Sequence, residues 1–186
     1  MLGRFVMLVA AALVASSAWS AEVAGIKLDD KTSVGGQELV LNGAGIRTRA
    51  IFKVYVGSLY VPAKTQELAG VLAKSPRRVQ LNLLRNLSPD QLVDALVDGL
   101  KDNNSEVDVA AVKPQTDQLV SIMKSFGEVK EGNVVTLDFV DGATKIGFNG
   151  AAKGSIAGEA FNQALIKVWL GDKPVQSDLK KAMLGG

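Results

Sequence analysis

The chain has 186 residues, with 21 Lys and Arg against 19 Asp and Glu, and it contains neither His nor Cys. The lack of His removes the imidazole base and the usual zinc ligand, and the lack of Cys excludes disulfides. Because the basic residues form no run beyond Arg77-Arg78 and Lys180-Lys181, the composition also argues against nucleic-acid binding.

The first 20 residues have the layout of a secretory signal peptide. Arg4 precedes an apolar run over residues 5–15, and small residues follow that run up to Ala21. The run is shorter than the roughly 20 residues of a membrane-spanning helix, which disfavours the alternative of an uncleaved anchor. We therefore expect cleavage after Ser20 and a mature domain over residues 21–186 with no stable membrane span. Since an exported chain without disulfides suits a bacterial periplasm, we also expect a periplasmic location.

The first part of the mature chain is predicted to consist mostly of strands. Four segments have the alternation or the residue types of strands, at residues 22–28, 38–41, 46–49 and 52–61. Residues 29–36 are polar and predict a loop. Gly43-Ala44-Gly45 interrupts the strand pattern and predicts a turn or a β-bulge. A helix capped by Thr65 and running to residue 74 is predicted next, followed by a strand over residues 78–84.

Helices dominate the rest of the chain. Ser88-Pro89-Asp90-Gln91 predicts a helix start, with Ser88 as the N-cap and Gln91 able to close a capping box. Helices are also predicted over residues 114–126 and 159–169 and from Ser177 onwards, and strands over 133–140 and 144–148, joined by an Asp141-Gly142 hairpin turn. Because strands come in adjacent groups separated by helical blocks, the order predicts an α+β fold. Its antiparallel sheet would carry helices on one face.

Two short motifs invite a cofactor or metal interpretation, and neither has the required spacing. Gly43-Ala44-Gly45 lacks the third glycine and the following helix of a dinucleotide site, and it lacks the Gly-Lys-Ser/Thr of a P-loop. Residues 102–108, DNNSEVD, lack the ligand spacing of a calcium loop. The sequence therefore assigns no cofactor, no metal ligand and no catalytic residue.

Arg47 and Arg49 enter an otherwise hydrophobic strand and are the candidate site. Residues i and i+2 of a regular strand share a face, so both side chains are expected to point the same way. They either face water on an edge strand or reach a pocket under the helices, where a guanidinium could bind an anion bidentately. Tyr55 and Tyr60 lie on opposite faces of the next strand by parity, so at most one of them can join that pocket unless a bulge intervenes.

Four segments resemble the chalcone isomerase-like superfamily, and most closely its bacterial exported branch. They are GAGIR, FKVYVGSLYV, LSPDQ and the C-terminal AFNQALIKVWLGDKPVQSDLKKAML. The resemblance implies an open-faced β-sandwich, in which helices cover one face of a large antiparallel sheet and a ligand cleft lies between the layers. The superfamily includes plant enzymes that close chalcones into flavanones, and non-catalytic fatty-acid-binding members.

The resemblance also places the catalytic positions of the plant enzymes on this chain. Arg47 matches the arginine that binds and polarises the substrate. The other positions hold different residues, since Tyr55 replaces a threonine, Gln91 a tyrosine, Asp98 an asparagine and Val168 a hydroxyl residue. Cyclisation needs several positioned polar groups, and their loss argues against chalcone isomerase activity.

The resemblance therefore implies a non-catalytic protein that binds a small apolar carboxylate, such as a fatty acid. Arg47 would anchor the anion, with Arg49 and Tyr55 as further ligand-binding residues. Two alternatives remain open from the sequence. One is an isomerase- or lyase-type enzyme acting on an unknown carbonyl substrate, and the other is an envelope protein without a ligand that works through protein partners.

Overall fold

The computed structural model describes residues 21–186, and the expected signal peptide with its cleavage site after Ser20 lies outside them. The strands in this part of the chain are β1 (Ala21–Val23), β2 (Ile26–Leu28), β3 (Lys31–Val34), β4 (Gln37–Arg49), β5 (Phe52–Val61), β6 (Arg77–Leu83), β7 (Val134–Val140), β8 (Ala143–Phe148) and β9 (Ala151–Ala157). The helices are α1 (Leu68–Leu72), α2 (Pro89–Asp102), α3 (Glu106–Ala111), α4 (Lys113–Lys124), α5 (Glu159–Leu170) and α6 (Ser177–Met183). Within residues 21–186, no helix is both long enough and apolar enough to cross a membrane.

Strands β3 to β9 form one seven-stranded sheet in which the spatial order follows the chain order. Every neighbouring pair in this sheet is antiparallel. Strands β1 and β2 form a separate two-stranded hairpin. The predicted α+β fold, a large antiparallel sheet with helices layered on one face, is confirmed.

The main core lies between the sheet and the helices. Val79, Leu81 and Leu83 alternate along β6 and pack in the same buried cluster as Phe161 and Trp169 of α5. The burial of every second residue explains why β6 was recognisable as a strand from its sequence.

A smaller core lies on the opposite face of the sheet. Leu39 of β4 and Val56 and Tyr60 of β5 pack there with Leu28 of the β1–β2 hairpin. Tyr55 belongs to the main core instead. The two tyrosines of β5 therefore lie on opposite faces of the sheet, as their parity predicts.

The elements that the sequence missed are those with little buried surface. β3 lies inside the predicted loop over residues 29–36, and β9 was not predicted; both are edge strands with mostly polar or small residues. α3 has no buried residue and begins after Ser105, whose hydroxyl accepts a hydrogen bond from the N–H of Asp108. The helix expected from Thr65 to residue 74 is shorter than predicted, because it begins after Glu67 and ends at Leu72.

The predicted interruption at Gly43 is a β-bulge within a continuous strand β4. The register against β5 shifts between Leu41 and Gly43, which leaves Asn42 as the extra residue. The Asn42 amide donates hydrogen bonds to the carbonyls of Met183 at 2.8 Å and Thr65 at 3.0 Å, and its oxygen accepts one from the N–H of Thr65 at 2.8 Å. The bulge thus ties β4 to the end of α6.

The two glycines beside the bulge allow α6 to lie directly on the sheet. A Cβ atom at Gly43 would be 2.1 Å from the carbonyl oxygen of Ala182, and one at Gly45 would be 2.7 Å from the Ala182 Cβ. Leu179 of α6 packs against the same surface, at 3.3 Å from an added Cβ on Gly57. Close packing of a helix therefore explains the two glycines of the Gly-Ala-Gly motif.

Candidate functional site

A cleft of about 870 Å³ opens between the end of the β4–β5 hairpin, the segment after β6, and α2. Its polar lining consists of Arg47, Arg49, Arg85, Gln91, Asp94 and Asp98. Its remaining lining is formed by Ala50, Phe52, Val54, Tyr55, Leu87, Leu92 and Ala95. The cleft thus combines an apolar surface with charged groups from the hairpin, the segment after β6 and α2.

Helix α2 is positioned by the capping box that the sequence predicted. The Ser88 hydroxyl accepts a hydrogen bond from the Gln91 N–H at 3.2 Å, and the Gln91 side-chain oxygen accepts one from the Ser88 N–H at 3.0 Å. This arrangement satisfies two backbone donors at the helix start. It also fixes the first turn of α2 at the wall of the cleft.

The guanidinium of Arg47 is half-buried and is held at one nitrogen. Its Nη1 donates to the carbonyl of Thr48 and, at 3.3 Å, to the side-chain oxygen of Gln176. Gln176 immediately precedes α6; it also accepts a hydrogen bond from the Thr48 N–H at 2.8 Å and donates one to the Ile46 carbonyl at 3.3 Å. Within residues 21–186, Nε and Nη2 of Arg47 have no hydrogen-bond partner. These donors remain available to a ligand in the cleft.

Tyr55 faces Arg47 across the β4–β5 ladder and lies in the floor of the cleft. Its hydroxyl accepts a hydrogen bond from Nε1 of Trp169 at 3.1 Å. Burial raises the pKa of Tyr55 to about 12, against the lowering effects of the Trp169 hydrogen bond and the Arg47 charge. The phenol is therefore protonated at neutral pH and retains one hydrogen to donate.

Arg49 lines the same cleft as Arg47, but it is exposed at the rim. A second register shift follows Arg47, where Thr48 pairs with Lys53 and Val54 is the extra residue of β5. The structure brings all three residues that the sequence singled out, Arg47, Arg49 and Tyr55, to one cleft. Their position in one cleft does not by itself show that they bind a ligand, so their role in binding stays a prediction.

The replaced family positions divide between the cleft and the core. Gln91 and Asp98 line the cleft on α2. Val168 is buried in α5 and packs beside Gly99, where an added Cβ would be 2.8 Å from the Val168 Cγ1. The chain therefore offers no hydroxyl to the cleft from the Val168 position.

Sequence reasoning missed Arg85, Phe52 and Asp94. The Arg85 Cζ lies 4.6 Å from the centroid of the Phe52 ring, so the arginine covers an aromatic side chain at the cleft mouth. Asp94 and Asp98 are four residues apart on α2 and share a helix face. That spacing was visible in the sequence, whereas nothing in it indicated that Arg85 would approach the hairpin.

The cleft has a cationic side and an acidic side that are not paired. Three arginines come from the hairpin and the segment after β6, and two aspartates come from α2. Within the described chain, the ion pairs closer than 4.0 Å involve other residues. The same residues 21–186 contain no cluster of acidic side chains suited to a metal ion. The three arginines therefore give the hairpin side of the cleft a positive charge.

Comparison with known proteins assigns the chain to a family. Residues 20–185 match the model of the chalcone isomerase-like family, and the protein belongs to that family. Its fold is similar to the crystal structure of a fatty-acid binding protein from Arabidopsis thaliana, with a TM-score of 0.66 and 12% sequence identity. The similarity covers 86% of this chain and 92% of the plant protein. No curated protein sequence matches the chain significantly.

Proposed function

We propose that the protein is a non-catalytic, periplasmic member of the bacterial exported branch that binds a small, largely apolar carboxylate. The ligand lies in the cleft, and Arg47 anchors its anionic group. The observation that carries this proposal is the state of the Arg47 guanidinium. Gln176 and Thr48 hold one of its nitrogens, while the other two lack partners within residues 21–186.

The cleft suits such a ligand in size and in chemistry. Ligand pockets usually measure about 300–1,000 Å³ and combine apolar walls with a few polar groups, and this cleft measures about 870 Å³. Val54, Leu87 and Leu92 supply apolar surface for a hydrocarbon chain. The planar guanidinium of Arg47 supplies paired donors for a carboxylate. Arg49 adds a second cation at the rim.

The structural relative supports the same ligand class. The Arabidopsis thaliana protein of the same fold is described as a fatty-acid binding protein. An apolar surface and a cation, which together suit a fatty acid, are both present in the cleft of this chain.

Tyr55 favours a second candidate function, an enzyme that acts on a carbonyl compound. Its side chain lines the same cleft as Arg47, and the raised pKa keeps its hydroxyl protonated. Arg47 and Tyr55 together could polarise a carbonyl oxygen. Tyr55 cannot serve as a general base near neutral pH, because its pKa is about 12.

Calorimetric titration with decanoate tests the binding proposal. Loss of a charge-assisted hydrogen bond worth about 1.5–3 kcal/mol weakens binding roughly ten- to a hundredfold, which is the effect expected for Arg47→Ala. Arg47→Lys should recover part of the affinity, because lysine keeps the charge but lacks the planar fork. Arg49→Ala should have a smaller effect. Circular dichroism is used to check that each variant is folded.

Methyl decanoate provides a matched ligand control, because the ester has no anionic group. Arg47→Ala should leave the affinity for the ester unchanged while it weakens decanoate binding. Equal decanoate affinities for wild type and Arg47→Ala would contradict the anchoring role. Failure of the wild-type protein to bind either ligand would contradict the fatty-acid proposal itself.

A further inference from the structure

The β4–β5 hairpin ends in an exposed apolar tip. Ile51 is 86% exposed and Phe52 is 53% exposed. Ala50 and Ile51 form the two-residue turn between β4 and β5, and Ala50 has a φ of 52°. Glycine, asparagine or aspartate usually fills such a left-handed position. The turn therefore carries apolar side chains at a place where turn stability and solubility both favour other residues.

Cations surround this tip on both strands. Arg49 ends β4 and Lys53 follows Phe52 in β5, and residues 47–53 contain no acidic side chain. Arg85, which comes from the segment after β6, lies over the Phe52 ring with its Cζ 4.6 Å from the ring centroid. Arg49, Lys53 and Arg85 are all exposed. The tip thus presents two exposed apolar side chains that are flanked by three cationic side chains.

We propose that the β4–β5 hairpin tip is a membrane-contact element for an anionic bilayer. Ile51 and Phe52 enter the boundary between head groups and acyl chains, while Arg49, Lys53 and Arg85 contact lipid phosphates. Apolar side chains flanked by Lys and Arg are the arrangement that binds at a membrane surface without spanning it. Each cation near an anionic surface strengthens the attraction, and the effect depends on salt.

The chemistry of the tip favours lipid over a protein partner. A stable protein interface buries about 800 Å² on each partner, whereas the apolar part of this tip consists of two adjacent side chains. A shallow insertion into lipid needs no larger complementary surface. Residues 47–53 carry cations and no acidic side chain, whereas Asp94 and Asp98 lie on the α2 side of the cleft. The tip itself therefore matches an anionic surface better than a mixed protein surface.

The tip is continuous with the mouth of the cleft. Arg49, Ala50, Phe52 and Arg85 belong to both. A docked hairpin would therefore bring the cleft opening to the lipid surface. The proposed membrane contact involves only side chains of the protein, so it can be tested without a ligand in the cleft.

Another exposed apolar residue offers a natural comparison. Val107 of α3 is 77% exposed, but its neighbours in the chain are Glu106 and Asp108. An anionic surface repels these carboxylates. Exposure alone therefore predicts membrane contact at both Val107 and Ile51, whereas the charge argument predicts it only at Ile51.

Sedimentation with vesicles tests the proposal on the protein as the cell produces it. The wild-type protein should bind phosphatidylglycerol-containing vesicles, bind phosphatidylcholine vesicles weakly, and dissociate at high salt. Ile51→Ser should weaken binding about fivefold, and Arg49→Gln with Lys53→Gln at least about tenfold. The matched controls are Val107→Ser and the pair Lys27→Gln with Lys101→Gln, which remove equivalent groups at exposed positions elsewhere. These controls should bind like the wild type.

A tryptophan placed at the tip locates the contact directly. Fluorescence of Ile51→Trp should be quenched by vesicles that contain brominated lipid, and that of Val107→Trp should not. All variants carry the same N-terminal residues, so any membrane binding by those residues is the same in each. A difference between the tip variants and the Val107 variants therefore reports on the hairpin. Failure of the wild type to bind anionic vesicles, or equal losses in the tip and control variants, would overturn the proposal. If the wild type does not bind anionic vesicles, contact with a protein partner becomes the favoured explanation for the exposed tip.

Discussion

Trp169 and Tyr55 are joined across the main core, where Nε1 of the indole donates a hydrogen bond to the phenol oxygen at 3.1 Å. Both side chains are buried, so an indole N–H left without this acceptor would be costly. The bond connects α5 to the strand that forms the floor of the cleft. Tyr55 is also the β-sheet partner of Arg47. The Trp169–Tyr55 hydrogen bond therefore supports the residue directly beside the proposed anion-binding arginine.

Tyr55→Phe should lower the free energy of unfolding by about 1–3 kcal/mol. The substitution preserves the ring but leaves the indole N–H of Trp169 buried without its acceptor. Urea denaturation of wild type, Tyr55→Phe, Trp169→Phe and the double variant forms a cycle that isolates the pair. If Tyr55→Phe costs as much with Phe at 169 as with Trp, the hydrogen bond does not contribute to stability.

The pH dependence of stability should also report on Tyr55. Its pKa is about 12 in the folded protein, mainly because of burial, and about 10 in an unfolded chain. The folded state therefore holds the phenolic proton more tightly, so this contribution is complete below pH 10 and is lost as the pH rises from about 10 to 12. The loss amounts to about 2–3 kcal/mol.

Unfolding free energies measured between pH 9 and pH 11.5 check this expectation. Tyr55→Phe should flatten the alkaline decline relative to wild type. Tyr60→Phe is the comparison, because burial also raises the pKa of Tyr60, which lies in the smaller core on the opposite face of the sheet. An alkaline decline that is unchanged in Tyr55→Phe would show that other groups cause it.

Gly43→Ala should destabilise the protein by about 1–3 kcal/mol or more. The new Cβ would be 2.1 Å from the carbonyl oxygen of Ala182, and this backbone atom can move only if α6 shifts. Gly57→Ala is the graded control, because its Cβ would be 3.3 Å from the flexible end of Leu179. Thermal unfolding of both variants tests the difference, and equal melting temperatures would contradict close packing of α6 on Gly43.

Asp94→Asn combined with Asp98→Asn should raise the affinity for decanoate about two- to fivefold at low salt. The two carboxylates line the cleft and repel an anion there, and salt should suppress the gain. Asp102→Asn removes an exposed carboxylate from the same helix outside the cleft lining. A similar gain from Asp102→Asn would attribute the effect to net charge rather than to the cleft.

The sequence predicted the buried elements well because burial imposes a visible period. The alternating core residues of β6 and the helical stripe of α5 follow from one face being apolar. The capping box at Ser88 was predicted because its chemistry is local. β3 and β9 lack such a pattern, since an edge strand with one neighbour can form from polar and small residues.

The site was only partly predictable, because it depends on where the chain is irregular. The alternation of side chains along a strand predicted that Arg47 and Arg49 share one face and that Tyr55 and Tyr60 lie on opposite faces. The bulge at Val54 and the approach of Arg85 arise from pairing and packing of distant segments. No short stretch of sequence encodes them.

The contact between Gln176 and Arg47 has a consequence for the order of assembly. The two residues are 129 positions apart, so during synthesis Arg47 leaves the ribosome long before its partner exists. Until α6 packs on the sheet, Gly43 and Gly45 of β4 are uncovered and Arg47 lacks its hydrogen bond to Gln176. Arg47 therefore gains its side-chain partner only when the C-terminal segment packs on β4, and a chain truncated ahead of Gln176 would keep the cleft lining but lose this support of the guanidinium. Together with the strand pairings of the sheet, such contacts between distant parts of the chain raise the mean sequence separation of contacts, which slows folding relative to a helical bundle of similar length.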